Sequence, residues 1–168
     1  MNKTVKLYNL VFPVWLLWIV PLTWIVVLPV NFFVDLLVVV VTMKYLKISN
    51  IKQNAKAVIV RVWLMGFAAD FIGSFVMYMV TELDFGPHNQ WWDKIQYAVM
   101  YYPFQSGMAI FIVAICIVLT AFCIYLFNYK WALEKAEFQD AERKKVALSL
   151  AVFTAPYLFY LPTEWFYR

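Results

Sequence analysis

The stretch VIVRVWLMGFAADFIGSFVMYMV, residues 58–80, decides what kind of molecule this chain is. It can cross a bilayer as a helix, because a spanning helix needs about 20 predominantly apolar residues. An aspartate, Asp70, lies near its centre, and Gly66 and Ser74 lie four residues before and after it. Small residues at this spacing let a second helix approach closely in lipid. The stretch therefore predicts a packed transmembrane helix that carries a buried carboxyl group.

The composition of all 168 residues agrees with a membrane protein, since 65% are hydrophobic and only 14% are charged. A soluble domain is about half apolar and about a quarter charged. The net charge of +4 comes from Lys and Arg that cluster in two loops, so it indicates topology and not nucleic-acid binding. We predict an all-α, polytopic fold with residues 1–168 forming a single transmembrane domain.

The apolar runs predict a four-transmembrane-helix bundle preceded by an N-terminal helix that lies in the membrane interface. The interfacial helix is Trp-rich and ends at Pro21, which cannot continue a helix from the preceding turn. The predicted boundaries are approximate: 9–20 for the interfacial helix, and 22–46, 58–80, 98–127 and 146–166 for the four spans.

The basic residues predict the sidedness of the loops. Most of them lie in or beside segments 47–57 and 128–145, so the positive-inside rule places both loops in the cytoplasm and both termini outside. The alternative is that residues 9–46 form a tight hairpin turning near Pro29, which moves the N-terminus inside. Each arm would then have about 16 to 19 residues, marginal for a core about 30 Å thick.

The mixed charges of residues 131–145 have helical spacing and predict a solvated extension of the third helix. The alternative is a docking surface for a cytoplasmic partner. Aromatic residues are concentrated near the predicted outer interface. Such belts anchor helices at the headgroups, or they form a vestibule for a cationic or flat ligand.

Two aspartates fall near the centres of the first two spans. Asp35 is about 20 and 16 Å from the ends of the first span, and Asp70 is about 18 and 15 Å from the ends of the second. The two helices are consecutive and antiparallel, so the carboxyl groups can meet if their faces agree. Asn31 is one turn from Asp35 on the same helix face.

No Lys, Arg or His lies at the depth of these two carboxyl groups in the predicted spans. Burial disfavours the charged form, and two neighbouring carboxylates without a counter-charge cannot both stay ionised. Three arrangements remain open. Both groups are protonated and form a structural hydrogen bond, they share one proton, or they bind a cation together with Asn31. Ionisable residues inside a membrane mark functional sites by default.

Other chemistry-bearing residues give weaker signals. Outer-loop residues Glu82, Asp84, His88 and Asp93 match no metal-ligand spacing. We expect no resident metal, no cofactor and no catalytic residues, because the sequence has no Ser/His/Asp set, no Gly-rich phosphate loop and no H-E-x-x-H motif. Four further polar residues are candidates for lining a substrate path: Ser74, Gln105, Ser106 and Thr154.

Residues 69–74, ADFIGS, resemble the stretch around the membrane carboxylate of the small multidrug resistance transporters. Those proteins are also short four-helix proteins, and they exchange protons for aromatic cations. The likeness covers six residues. In that family the acidic residue lies in the first helix and here in the second, so no residue role is transferred.

The sequence thus predicts a small integral membrane transporter or channel subunit that binds a proton or small cation at Asp35, Asp70 and Asn31. The expected partners are the lipid bilayer and either further copies of the chain or another membrane subunit. The alternative is a non-catalytic membrane subunit that assembles with partner proteins through its helices and inner charged loop. A third alternative is a membrane-embedded enzyme that uses the carboxyl pair on a lipid.

Overall fold

A computed structural model of the chain describes residues 21–83 and 90–163, and these contain no strand. Three helical segments are long and apolar enough to cross a membrane: Ile25–Tyr45, Ile51–Thr81 and Gly107–Lys135. The prediction of an all-helical fold is confirmed, and these three segments are consistent with the predicted membrane protein, whereas a bundle of four spans is not confirmed. The predicted interfacial helix, residues 9–20, lies outside the described residues. The five α-helices are α1 (Pro21–Tyr45), α2 (Ile51–Thr81), α3 (Gln90–Tyr101), α4 (Gly107–Phe127) and α5 (Asp140–Phe153).

Four of the helices form a closed ring in the order α1, α2, α4, α5. Each packs against the next, and α5 completes the ring by packing against both α4 and α1. The short helix α3 packs against α2 and α4. We call the end of the ring where α1 turns into α2 the basic end, because Lys44, Lys47, Lys52 and Lys56 lie there. The opposite end is called the α3 end.

The connection between α1 and α2 is shorter than the predicted loop 47–57, because α2 already begins at Ile51. Lys47 and Asn50 take positive φ angles of 56° and 53°, which reverses the chain within a few residues. The buried Asn54 holds this turn, since its Nδ2 donates to the carbonyl of Ser49 at 3.1 Å. Its Oδ1 accepts from the backbone N–H of Glu137, also at 3.1 Å. The Asn54 side chain therefore links the turn between α1 and α2 to the segment that precedes α5.

The third span begins later than predicted, at Gly107 instead of residue 98. Pro103 follows Tyr102, whose backbone angles of −153° and 80° are not helical, as expected for a residue that precedes proline. The predicted N-terminal part of this span is instead the separate helix α3. Ser106 then starts α4, and its side chain accepts from the backbone N–H of Ala109.

The predicted fourth span, 146–166, is not one continuous helix in the described residues. Helix α5 ends at Phe153 and is followed by a bend and a 3₁₀ turn, Tyr157–Tyr160. Pro156 lacks the N–H that would bond to the carbonyl of Val152, so the helix cannot continue through it. The hydroxyl of Tyr157 donates to this carbonyl instead, at 2.6 Å. The break is thus built into the local sequence.

The predicted continuous helical extension over residues 131–145 is also wrong. Helix α4 continues through a π-helical turn, Asn128–Ala132, and a 3₁₀ turn, Leu133–Lys135, and then the chain becomes extended at Ala136. Ala136 and Phe138 are buried. The prediction assumed a helix exposed to solvent, so it missed a connection that is held by buried apolar side chains. Helix α5 begins afresh with a capping box, in which the backbone N–H of Gln139 donates to Glu142 Oε2 at 2.9 Å.

The buried apolar residues form two clusters, one toward each end of the ring. The cluster at the basic end includes Met43, Val58 and Leu150, and the cluster at the α3 end includes Met77 and Phe159. Asp35 and Asp70 are also buried. Along α2, Asp70 lies between Ala69 of the first cluster and Met77 of the second.

Helices α2 and α4 approach each other closely at Gly73. A Cβ atom placed there would overlap the hydroxyl of Thr120 and would lie 3.3 Å from Phe159. We expect Gly73→Ala to lower the free energy of unfolding by about 1 to 3 kcal/mol, the usual range for overpacking a core. Thermal unfolding in detergent measures this loss.

Gly107→Ala is the matched control, because no atom lies within 4 Å of a Cβ at that position. It should leave the melting temperature essentially unchanged. Equal melting temperatures for the two variants would contradict the proposed close contact between α2 and α4.

The exposed start of α5 gives a pH-dependent prediction. Asp140 accepts hydrogen bonds from Lys144, at 2.7 Å, and from the Tyr129 hydroxyl, at 2.8 Å, and these bonds hold the pKa of its carboxyl below the ordinary value. A carboxylate with a lowered pKa stabilises the fold above its ordinary pKa and loses this effect as the pH falls through the lowered one. Asp140→Asn should therefore lower the melting temperature slightly at neutral pH and have no effect in strong acid.

Melting temperatures measured in detergent from pH 7 to pH 2 test this expectation. Glu134→Gln is the control, because Glu134 is exposed and makes no ion pair among the described residues. A difference between Asp140→Asn and the unmodified chain that persists unchanged into strong acid would show that the charge of Asp140 is not its cause.

Candidate functional site

A cavity of about 130 Å³ lies between α1, α2 and the chain at the end of α5. Helix α1 contributes Asn31 and Asp35 to its wall, and α2 contributes Gly66 and Asp70. The third wall is the chain just after α5, residues 153–156. Asp35 is ten residues from either end of the apolar segment Ile25–Tyr45, which is about 15 Å along the helix axis. The cavity is thus at the middle of the apolar length of α1.

The two carboxyl groups are brought to one place by the close packing of α1 on α2. Gly66 lies at this contact, where a Cβ would be in ordinary van der Waals contact with Asp35 Oδ2, at 3.6 Å. Asp70 is one helical turn further along the same face of α2. Asp35 and Asp70 are only 6% and 5% exposed, and both line this cavity. The structure therefore places the two carboxyl groups at one cavity.

No basic residue lines this cavity in the part of the chain that the structure describes. Asp70 Oδ1 is also without a hydrogen-bond partner among the described residues. A buried carboxylate oxygen without a donor is costly, because its interactions with water are lost and nothing replaces them. Asp70 thus lines the cavity with a carboxyl group in which one oxygen has no described donor.

The third wall of the cavity is a backbone segment with carbonyl groups that accept no backbone hydrogen bond among the described residues. Beyond Phe153 the chain leaves the helical conformation, and no backbone N–H of the described residues donates to the carbonyls of Phe153 or Thr154. The Thr154 hydroxyl donates to the carbonyl of Leu150 at 2.8 Å and keeps its lone pairs as acceptors. This segment adds oxygen atoms to the cavity, together with the negative end of the α5 dipole.

Two aromatic residues of α2 complete the wall and were not among the predicted site residues. Trp63 donates its indole N–H to the carbonyl of Leu28 at 3.0 Å, just before Pro29. Phe67 is the other aromatic residue. Trp63, Gly66 and Asp70 have the spacing i, i+3 and i+7, so helical periodicity alone places Trp63 on the face of the aspartate.

The remaining predicted residues are divided between this cavity and other places. Thr154 lines the cavity, as just described. Ser74 is buried one turn beyond Asp70 and does not line it, and its hydroxyl has no hydrogen-bond partner among the described residues. Gln105 and Ser106 line a different and larger cavity, about 500 Å³, at the α3 end. Trp91 also lines that second cavity, which is where the sequence predicted an aromatic vestibule.

The polar atoms around the carboxyl pair are those of carboxyl, amide, hydroxyl and peptide groups, together with the indole N–H of Trp63. The described residues contain no cluster of three or more His, Cys, Asp or Glu side chains. Within them Cys116 and Cys123 lie on α4, which does not line the cavity. The site therefore offers oxygen ligands and proton acceptors, and no soft ligand for a metal.

Comparison of the chain with protein-family models, with curated proteins and with solved structures gives no significant match. Function is therefore inferred from the residues of the site.

Water access to the cavity can be measured with a single cysteine. In a chain with Cys116 and Cys123 replaced by alanine, Thr154→Cys should react with methanethiosulfonate reagents, because a thiolate forms where water reaches it. A cationic reagent should react faster than an anionic one by about tenfold or more, since a cleft of one charge sign concentrates counter-ions to this degree.

Val152→Cys is the control, because its side chain is exposed on the apolar outside of the ring and does not line the cavity. It should react slowly with both reagents in a bilayer. Equal rates for the two reagents at Thr154→Cys would contradict a negative potential in the cavity.

Proposed function

We propose that this chain is a small membrane transport protein or channel subunit in which Asp35 and Asp70, with Asn31, accept a proton or a cation halfway across the bilayer. The observation that carries the proposal is that two buried carboxyl groups share one cavity without a basic partner among its described residues. An aspartate at a helix centre costs about 2.5 to 3.5 kcal/mol on insertion scales. A purely structural role could be filled by apolar residues without this cost.

The unpaired oxygen of Asp70 supports a binding role over a structural hydrogen bond. If the pair only held α1 and α2 together, each carboxyl group would be expected to use its oxygen atoms on a protein donor. Asp70 Oδ1 has none among the described residues. The cavity beside it is large enough for an ion with a few water molecules, since a water occupies about 30 Å³ in the liquid.

We further propose that the chain crosses the membrane four times and that the fourth crossing is broken in the middle. The start of this crossing is level with the end of α4, because the Tyr129 hydroxyl bonds to Asp140. Its far part is level with the beginning of α4, because the Tyr160 hydroxyl donates to the carbonyl of Ile110 at 3.0 Å. Residues 140–160 therefore follow almost the whole length of a helix that can span the membrane.

Such a break is tolerated in a membrane where the open backbone lines a cavity. Transporters with discontinuous helices place ion sites at the breaks, where freed carbonyls coordinate the ion. Here the break at residues 153–156 faces the carboxyl pair. This coincidence supports a transport role for the site.

The charge distribution supports a cytoplasmic position for the basic end. The turn between α1 and α2 and the start of α5 both lie at this end, and together they hold most of the Lys and Arg residues. The positive-inside rule then places the α3 end outside. A ring of four crossings encloses little space, so the proposal includes assembly of several copies.

Proteoliposomes containing the purified chain test the transport function. A pH-sensitive dye inside the vesicles should report proton movement when a gradient of a cation or a proton gradient is imposed. Asp35→Asn and Asp70→Asn should each abolish this movement, because neither amide can bind a proton or carry a negative charge at neutral pH.

Asp93→Asn is the matched control, since Asp93 is an exposed aspartate on α3 that lies outside the carboxyl cavity. It should keep full activity. Melting temperatures of all three variants show whether they are folded. If the unmodified chain moves no ion under any gradient, while Asp70→Asn loses a co-purifying membrane protein, the chain is an assembly subunit and the transport proposal fails.

A further inference from the structure

The cavity around Asp35 and Asp70 has the ligand chemistry of a hard metal cation. Two carboxyl groups, the amide of Asn31 and the hydroxyl of Thr154 together hold six oxygen atoms. The open carbonyls of Phe153 and Thr154 are further candidates. Mg²⁺ takes six oxygen ligands, some of them water, and Ca²⁺ takes six to eight. Sites made of carboxylate, carbonyl and water oxygen select Mg²⁺, Ca²⁺ or Mn²⁺ over softer metals.

The charge of the site favours two positive charges over one. Both carboxyl groups border the same cavity, and no described lining residue is basic. A single monovalent cation would leave one negative charge uncompensated when both groups are ionised, and an isolated buried charge is very unfavourable. A divalent cation neutralises both. The end of α5 adds partial negative charge at the same place, which strengthens the preference for the higher charge.

The size of the cavity limits the occupant. Its volume of about 130 Å³ is below the range of about 300 to 1,000 Å³ that holds drug-sized ligands. It is similar to the roughly 150 Å³ that holds one benzene molecule. An ion with part of its water shell fits, whereas a large organic cation does not.

We propose that the cavity between Asp35 and Asp70 is a binding site for one hard divalent metal cation of the Mg²⁺, Mn²⁺ and Ca²⁺ class. The inference rests on the proposed function, because it names the ion that the same site takes. The two aspartates are the charged ligands, and Asn31 and Thr154 supply neutral oxygen atoms. The broken chain after α5 brings the third wall to the ion, so binding joins α1, α2 and the fourth crossing.

Binding of Mn²⁺ to the full chain in detergent tests the proposal, with free Mn²⁺ measured by electron paramagnetic resonance. One Mn²⁺ should bind per chain, and Mg²⁺ or Ca²⁺ should displace it. Asp35→Asn and Asp70→Asn should each weaken binding by about 100-fold, because even outer-shell partners of a metal ligand are worth about 10- to 100-fold in affinity.

Two further variants keep both carboxylates, and they test the site even if the aspartate variants fail to fold. Asn31→Ala and Thr154→Val should each weaken Mn²⁺ binding by about tenfold and leave the stoichiometry unchanged. Asp93→Asn and Asp140→Asn remove carboxylates outside the cavity and should leave the affinity unchanged. Added Mn²⁺ should raise the melting temperature of the unmodified chain and of these two controls, and not that of Asp70→Asn.

The proposal is overturned if Mn²⁺ binding survives in both Asp35→Asn and Asp70→Asn, or if Na⁺ or methylammonium displaces Mn²⁺ at equal concentration. It is also overturned if no divalent cation binds. In each of these cases, Asp70-dependent proton movement in proteoliposomes would still support the proposed transport function. If Mn²⁺ binding depends on Asp70 but the chain moves no ion, the result supports the metal site and contradicts the transport function.

Discussion

The missing N–H of Pro156 determines where the fourth helix of the ring stops. Proline lacks the N–H that would bond to the carbonyl one turn earlier in a helix, so that carbonyl needs another donor. Here that carbonyl belongs to Val152, and the hydroxyl of Tyr157 supplies the donor. The backbone beyond Phe153 is then open, and it forms one wall of the cavity that holds the two carboxyl groups. The break in α5 and the carboxyl pair therefore belong to one structural unit.

The carboxyl pair has its own supporting contacts. Gly66 of α2 lies beside the side chain of Asp35, and Gly73 lets α2 approach Thr120 of α4 closely, because a Cβ there would overlap the Thr120 hydroxyl. Close contacts of this kind hold membrane helices together where no hydrophobic driving force acts between them. The two apolar clusters pack the ring toward its basic end and toward its α3 end.

The sequence predicted the helical membrane fold and the first two spanning helices well, because both depend on long apolar runs. It also predicted that Asp35 and Asp70 lie at similar depth, since depth follows from the rise per residue. It failed where local sequence conflicts with the apolar pattern. Pro103 separates α3 from α4 although the residues on either side are apolar. The connection at Ala136 and Phe138 is buried although its neighbours are charged.

The sequence by itself determined a helical fold whose long helices are apolar enough to span a membrane, with an acidic residue deep within each of the first two, because composition and periodicity report hydrophobic burial and helix geometry. Only the tertiary structure decided that the two carboxyl groups share one cavity, that the chain after α5 forms its third wall, and that Gln105 and Ser106 belong elsewhere. Those facts depend on how the helices are rotated and which ones pack together. Such contacts arise between residues far apart in the chain, and no local pattern encodes them.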